Sequence, residues 1–220
     1  MVKYISMSNT VLITRPNHDY PTTYLYHWSK FVIDEALSKG IKVLDLDGVK
    51  ANKSNFNSYI NKHEPQLLFL NGHGAKDCVG GYNDEILVDT NNCEALKGKI
   101  LYVRSCEAGA ELGPACVSKG AIAFIGYKRS YWLMRSKSQH TRPLTDNISK
   151  LFLEPSNLVP ISLIKGHSVE EAYNRSQDSM RRNFSYMISS KASTEERDAA
   201  FFLWSNYTCQ VMLGKGEAKI

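Results

Sequence analysis

Apolar residues fall along this chain in two alternating kinds of segment. Short, nearly unbroken runs, TVLIT (10–14), IKVLDLD (41–47), QLLFL (66–70), KILYVRS (99–105) and AIAFIGY (121–127), have the length and branched content of buried strands. Longer stretches with apolar positions near helical spacing lie between them: 20–40, stopped by Gly40; 54–63, opening on Ser54; and AGAELGPACVSKG, 108–120. CVGGYNDEILVD (78–89) carries turn chemistry at Gly80, Gly81 and Asn83 and predicts a loop or hairpin. This strand-helix-strand rhythm predicts an α/β fold, a mostly parallel central sheet with helices on both faces. After residue 130 the pattern changes. Helices are predicted over 141–154 and 168–190, the latter with Ser168 and Glu171 at capping-box spacing, and 194–214 begins as a helix and can finish as a strand. No repeat, low-complexity tract or long linker divides the chain, so a single domain over 1–220 is expected, its C-terminal helices covering the sheet.

Functional groups on such a sheet collect in the loops beyond the carboxyl ends of its strands. Two of those loops carry unusual chemistry. FLNGHGAKD (69–77) sets His73 between two glycines, which a strand end uses for backbone freedom or close approach rather than for packing. ILYVRSCEAGAELG (100–113) delivers Cys106 to the same edge, where a strand is expected to give way directly to a helix. A thiol at a helix start would have its pKa lowered by the dipole and unpaired amides. The amides of Cys106 and Gly74 could hold an oxyanion, and His73 could move the proton. Tyr131 and Trp132, just after the fifth strand, are candidates to wall a substrate pocket or to pack in the core. Glu107, next to the thiol, opposes its ionisation and is assigned no catalytic role.

LLFLNGHGA followed by ILYVRSCEAGAELGPACVSKGAIAFIGY resembles the caspase-like clan of cysteine peptidases, whose signature is a His-Gly after one strand and a Cys after a later one. Within the clan the pattern is most similar to the CHAT domain, the caspase-like domain associated with TPR proteins, and the resemblance runs from about residue 65 to 213. GHSVEEAYNRS and AAFFLWSNYTCQVMLG also resemble that family's closing helix and strand. The resemblance implies a caspase-hemoglobinase fold and cysteine endopeptidase activity, with His73 and Cys106 as the dyad, Gly74 as oxyanion-hole partner and no cofactor. It also implies that Arg104, two residues before the nucleophile, lines the primary specificity pocket and favours an acidic side chain there; the alternative is that Arg104 pairs with an internal carboxylate such as Asp45, Asp47 or Asp77. True caspases are a poorer match, because RSCEAG departs from their cysteine motif. His73 also stands 33 residues before Cys106, where caspases have about 50.

Composition narrows the setting. With 220 residues, 43% hydrophobic and 22% charged, the chain can build a full core. The net charge of +5 is spread along the chain, apart from Arg181 with Arg182 and the cluster at 128–137, which falls short of a nucleic-acid footprint. MVKYISMSNT lacks the apolar stretch of a signal peptide, and no window approaches the roughly 18 apolar residues of a membrane span. A cytoplasmic protein is expected. Five cysteines without paired spacing predict free thiols, with Cys78, Cys93, Cys116 and Cys209 structural. His18, His27, His63, His140 and His167 lack sequence partners and read as surface or supporting groups. The expected partners are a protein or peptide substrate and a regulatory protein that controls cleavage, with 127–140 as a basic candidate for a regulatory or self-cleaved loop. A zinc site of His73, Cys78, Cys93 and Cys106 is disfavoured by its spacing. A catalytically silent, partner-binding module of the same fold is the main functional alternative.

Overall fold

A computed structural model of the chain describes residues 9 to 139 and 141 to 220. The N-terminal residues 1–8, on which most of the leader-peptide expectation rests, and His140 lie outside the described residues. The elements run in the order β1 (Thr10–Arg15), α1 (Tyr20–Ser38), β2 (Lys42–Asp47), α2 (Lys53–His63), β3 (Leu67–Asn71), β4 (Cys78–Gly80), β5 (Ile86–Asp89), β6 (Ile100–Arg104), α3 (Leu112–Ser118), β7 (Ala123–Tyr127), α4 (Asn147–Ile164), α5 (Val169–Met187), α6 (Thr194–Cys209) and β8 (Gln210–Gly214). Six strands form one sheet in the order β2-β1-β3-β6-β7-β8, and β4 and β5 form a separate hairpin. Every pairing in the large sheet is parallel except that of β8, which runs antiparallel to β7.

Side-chain alternation along the central strands sorts the apolar residues into two cores. Leu12, Leu68, Leu70, Leu101, Val103 and Phe124 face one side, packed with Phe56 and Ile60 of α2, Cys116 of α3 and Val79 and Leu87 of the hairpin. Val11, Ile13, Phe69, Tyr102, Ile125 and Tyr127 face the other, against Val32 of α1, Val159 and Leu163 of α4 and Ala172 of α5. Strands buried on both faces are what continuous apolar runs encode.

Three helix boundaries differ from the sequence pattern, one of them the start of α4, expected at 141 and found at Asn147. The helix expected over 108–120 begins only at Leu112. Residues 105–111 form turns instead, with Glu107 at φ +58 and Ala110 N–H donating to the Glu107 carbonyl. In the other direction, α4 continues past the expected stop at 154, through Pro155 and Pro160, to Ile164. A helix-interior proline costs about 3 kcal/mol or more. Here both prolines are buried on a helix that also buries Phe152, Leu153, Val159 and Leu163, and that packing outweighs the lost hydrogen bonds.

Candidate active site

Strands β3 and β6 are direct neighbours, and their register pairs Asn71 with Arg104. His73 and Cys106 each stand two residues further on, so the 33-residue spacing read in the sequence is the register offset of the sheet itself. Both residues line one cavity at this edge, of about 270 Å³. The glycines flanking His73 are explained by close approach. An added Cβ on Gly72, at φ +154, would lie 2.0 Å from the Gly80 carbonyl oxygen, and one on Gly74 would lie 2.6 Å from Ser105 Oγ and 2.9 Å from the Cys78 carbonyl oxygen. Gly74 thus packs directly against the residue preceding Cys106.

Cys106 sits in the turn after β6, well before α3, so the helix-dipole activation expected from the sequence is absent. Burial instead pushes its thiol pKa up, and the Glu107 carboxylate adds to the shift. The Cys106 thiol lies 3.8 Å from the Tyr131 carbonyl oxygen. The turn is held by Glu107 N–H donating to Arg129 and Gly109 N–H donating to Tyr127, at 3.1 and 2.8 Å. Neither the Gly74 nor the Cys106 backbone N–H has an acceptor among the described residues. Cys106 lines the cavity; Gly74 does not line it but directly follows His73, which does.

The histidine is oriented by a residue the sequence pattern did not single out. Asp19 is the N-cap of α1, its side chain accepting from Thr22 N–H, and its second carboxylate oxygen lies 2.6 Å from His73 Nε2. Partial burial works against ionisation of Asp19, but hydrogen bonds from Thr22 and His73 outweigh it and hold the carboxyl below its ordinary range. An ionised partner at Nε2 fixes the imidazole tautomer and leaves Nδ1 as the basic nitrogen. The one sequence signal was DYPT (19–22), a capping pattern whose second role depends on where β3 ends.

Tyr131, Trp132 and Leu133 wall the cavity opposite Pro21, Thr22 and Leu25 of α1. The segment read as a loose regulatory loop is tied down here: Asn206 of α6 bonds both the N–H and the carbonyl of Trp132, and buried Asp146 accepts from Ser136 N–H. Arg104 also lines the cavity, with its side chain buried. Its guanidinium donates to Asn71, Asn157, Ser156 and Ser29 side chains and the Leu25 carbonyl, and lies over the Phe69 ring. None of the carboxylates considered for it is its partner; Arg15 takes Asp45 and Asp47. Among the described residues Arg104 has no ion pair, and no Asp or Glu lines the cavity.

The remaining candidates separate. Cys93 and Cys116 lie buried in the core under the hairpin, Cys209 is buried on the other face, and all five cysteines are free. The four residues weighed as zinc ligands are not gathered, since Cys93 is in the core with its thiol on the Thr90 carbonyl. His18 bonds Asp84 and packs edge-on beside His73. No helix among the described residues is long and apolar enough to cross a membrane.

Comparison with known proteins gives likeness in structure alone. No family model matches the sequence, and no curated protein matches it. Among solved structures, the Arg-specific cysteine proteinase gingipain R superposes with a TM-score of 0.66 at 9% identity, over 97% of this chain and 48% of its own. The complex of the Porphyromonas gingivalis RgpB pro- and mature domains gives 0.58 at 11% identity, over 96% and 48%. A structure described only as a protease gives 0.53 at 16% identity, over 97% and 48%. The chain spans about half the length of these structures. It has their caspase-like α/β fold; at such identities the likeness carries the fold and no further.

Proposed function

We propose that this protein is a cysteine endopeptidase of the caspase-like clan, acting through Cys106 and His73. The observation that carries it is the in-register meeting of a thiol and a carboxylate-oriented imidazole on one cavity beside two unpaired backbone N–H groups. Cys106 Sγ attacks the scissile carbonyl carbon as its proton passes to His73, and the Gly74 and Cys106 amides hold the resulting oxyanion. The tetrahedral adduct collapses to a thioester as His73 gives the proton to the departing amine. Water then attacks the thioester, losing its proton to His73, which returns it to the thiolate. Asp19 positions the imidazole throughout.

The side chain before the scissile bond would enter the cavity walled by Tyr131 and Trp132. Its lining contains no carboxylate, and Arg104, hydrogen-bonded only to neutral groups, adds an uncompensated positive charge at the wall. That electrostatics favours an acidic or polar residue over a basic one. The closer kinship to CHAT domains rests on the NGHGA and RSCEAG loops. A cytoplasmic setting, in bacterial defence or regulated proteolysis of a partner such as a gasdermin, belongs to the same proposal and is in keeping with five free thiols.

Labelling with a thiol-reactive peptide electrophile, with a peptide-library cleavage profile, tests the activity. Labelling of the wild type that disappears in Cys106→Ala supports a live site. Labelling of the wild type no stronger than of Cys106→Ala favours the silent partner-binding module.

A further inference from the structure

Around His73, three elements bring together a second set of chemically able groups. His18 lies in the connection between β1 and α1, His73 in the loop after β3, and Asp84 in the turn of the β4–β5 hairpin. One ring nitrogen from each histidine and one Asp84 oxygen lie within 4.8 Å of one another. His18 Nε2 is 3.2 Å from Asp84 Oδ1, and the His18 ring stands edge-on to those of His73 and Tyr82, at 6.0 and 5.5 Å between centroids.

His18 is poorly accounted for as a packing residue. Its side chain is only 10% exposed, yet among the described residues its one bonded partner, Asp84, is 62% exposed, and its buried Nδ1 has none. A buried ring nitrogen left unpaired costs stability, so a ring held this way has a use other than filling space. His73 already has the supporting half of a metal-ligand arrangement, because Asp19 holds its Nε2 and fixes the tautomer that offers the other nitrogen.

We propose that His18, His73 and Asp84 form a binding site for a divalent transition metal of the zinc class, and that its occupancy silences the enzyme by occupying His73. Two imidazoles and one carboxylate suit zinc or its neighbours, whereas calcium and magnesium take oxygen ligands. Tetrahedral zinc with bonds of about 2.0–2.2 Å spaces its ligand atoms about 3.3–3.6 Å apart. The site must therefore close by roughly 1 Å, within reach of an exposed Asp84 and a His73 that is 41% exposed, moving toward a fixed His18. Three protein ligands leave a fourth position for water. A lone pair engaged by the metal cannot accept the thiol proton, so hydrolysis stops until the metal leaves. The metal site stands on its own geometry; only the silencing rests on the proposed peptidase activity.

Titration of the purified full chain with zinc, followed by calorimetry and by the visible absorption of cobalt in place of zinc, tests the site without any substrate. Wild type and Cys106→Ala are expected to bind one equivalent at micromolar or tighter affinity with tetrahedral-type cobalt absorption. His18→Ala and Asp84→Asn are each expected to bind at least tenfold more weakly. Asp84→Asn alters a solvent-exposed side chain, so it reports on binding even if His18→Ala compromises folding. No micromolar binding by wild type, or loss of binding in Cys106→Ala with retention in Asp84→Asn, overturns the proposal, the second because it would put the metal on the thiol. If wild type cleaves peptide, micromolar zinc should inhibit it reversibly on chelation, and Asp84→Asn should need at least tenfold more; equal sensitivity overturns the silencing role. Binding without any peptide hydrolysis would instead leave the metal site intact and remove the peptidase.

Discussion

The loops after β3 and β6 present their reactive groups by opposite means. His73 stands in a polar, half-open setting, 41% exposed, held by the carboxylate that caps the start of α1 and flanked by glycines that let two backbones touch. Cys106 sits in an apolar and more enclosed one, between a left-handed Glu107 and the wall segment from Tyr131, its thiol beside a carbonyl. The basic partner is thus prepared and the nucleophile is not. A thiol kept neutral by burial needs its proton removed as it attacks, so under the proposed mechanism His73 would take part in acylation and not only in leaving-group release.

That contrast can be broken in several ways, with effects that diminish in order. Cys106→Ala should abolish electrophile labelling and reduce peptide hydrolysis by about 10³-fold or more, because no other thiol lines the cavity. His73→Ala should cost about 10²–10⁴-fold in kcat, and the loss should shrink at high pH, where solvent can ionise the thiol unaided. A pH-independent loss would mean that the imidazole acts only on the leaving group. Gly74→Ala should lower kcat by about 10²-fold, since its Cβ would lie 2.6 Å from Ser105 Oγ and displace one oxyanion donor; wild-type turnover would remove Gly74 from that role. Asp19→Asn keeps a competent helix cap but loses the charge, and should reduce kcat about 10-fold with little change in KM.

The smallest effect concerns the protein without substrate. Alkylation of Cys106 by iodoacetamide should have its midpoint above the ordinary free-cysteine value of about 8.5, because burial disfavours the thiolate and ionisation must wait for higher pH. A midpoint at or below that value would mean that the thiol is already paired with His73 before substrate arrives.

Much of the architecture was legible because it is written in short-range pattern. The five apolar runs became the five parallel strands, the turn residues at 80–83 became the bend of the hairpin, and the Ser168 and Glu171 spacing became a capping box. The glycine pair around His73 correctly marked a close approach, although not what approaches. Illegible features were those in which local signals were overruled. Apolar residues at 108–120 have helical spacing, but the turn that presents Cys106 uses up the first of them; prolines at 155 and 160 signal a stop that core burial overrides.

What the sequence determined by itself is the order of elements and the two-faced core, because both depend on which residues can be buried along a few neighbouring positions; it also singled out His73 and Cys106 as candidates. Tertiary structure alone decided that β3 and β6 pair with an offset of 33, so that His73 and Cys106 face one cavity. It likewise decided that a helix cap 54 residues away orients the imidazole, that Arg104 meets only neutral partners, and that His18 and Asp84 crowd the same histidine. Those contacts join segments far apart in the chain, and local spacing carries no information about which distant loops a folded sheet brings to one rim.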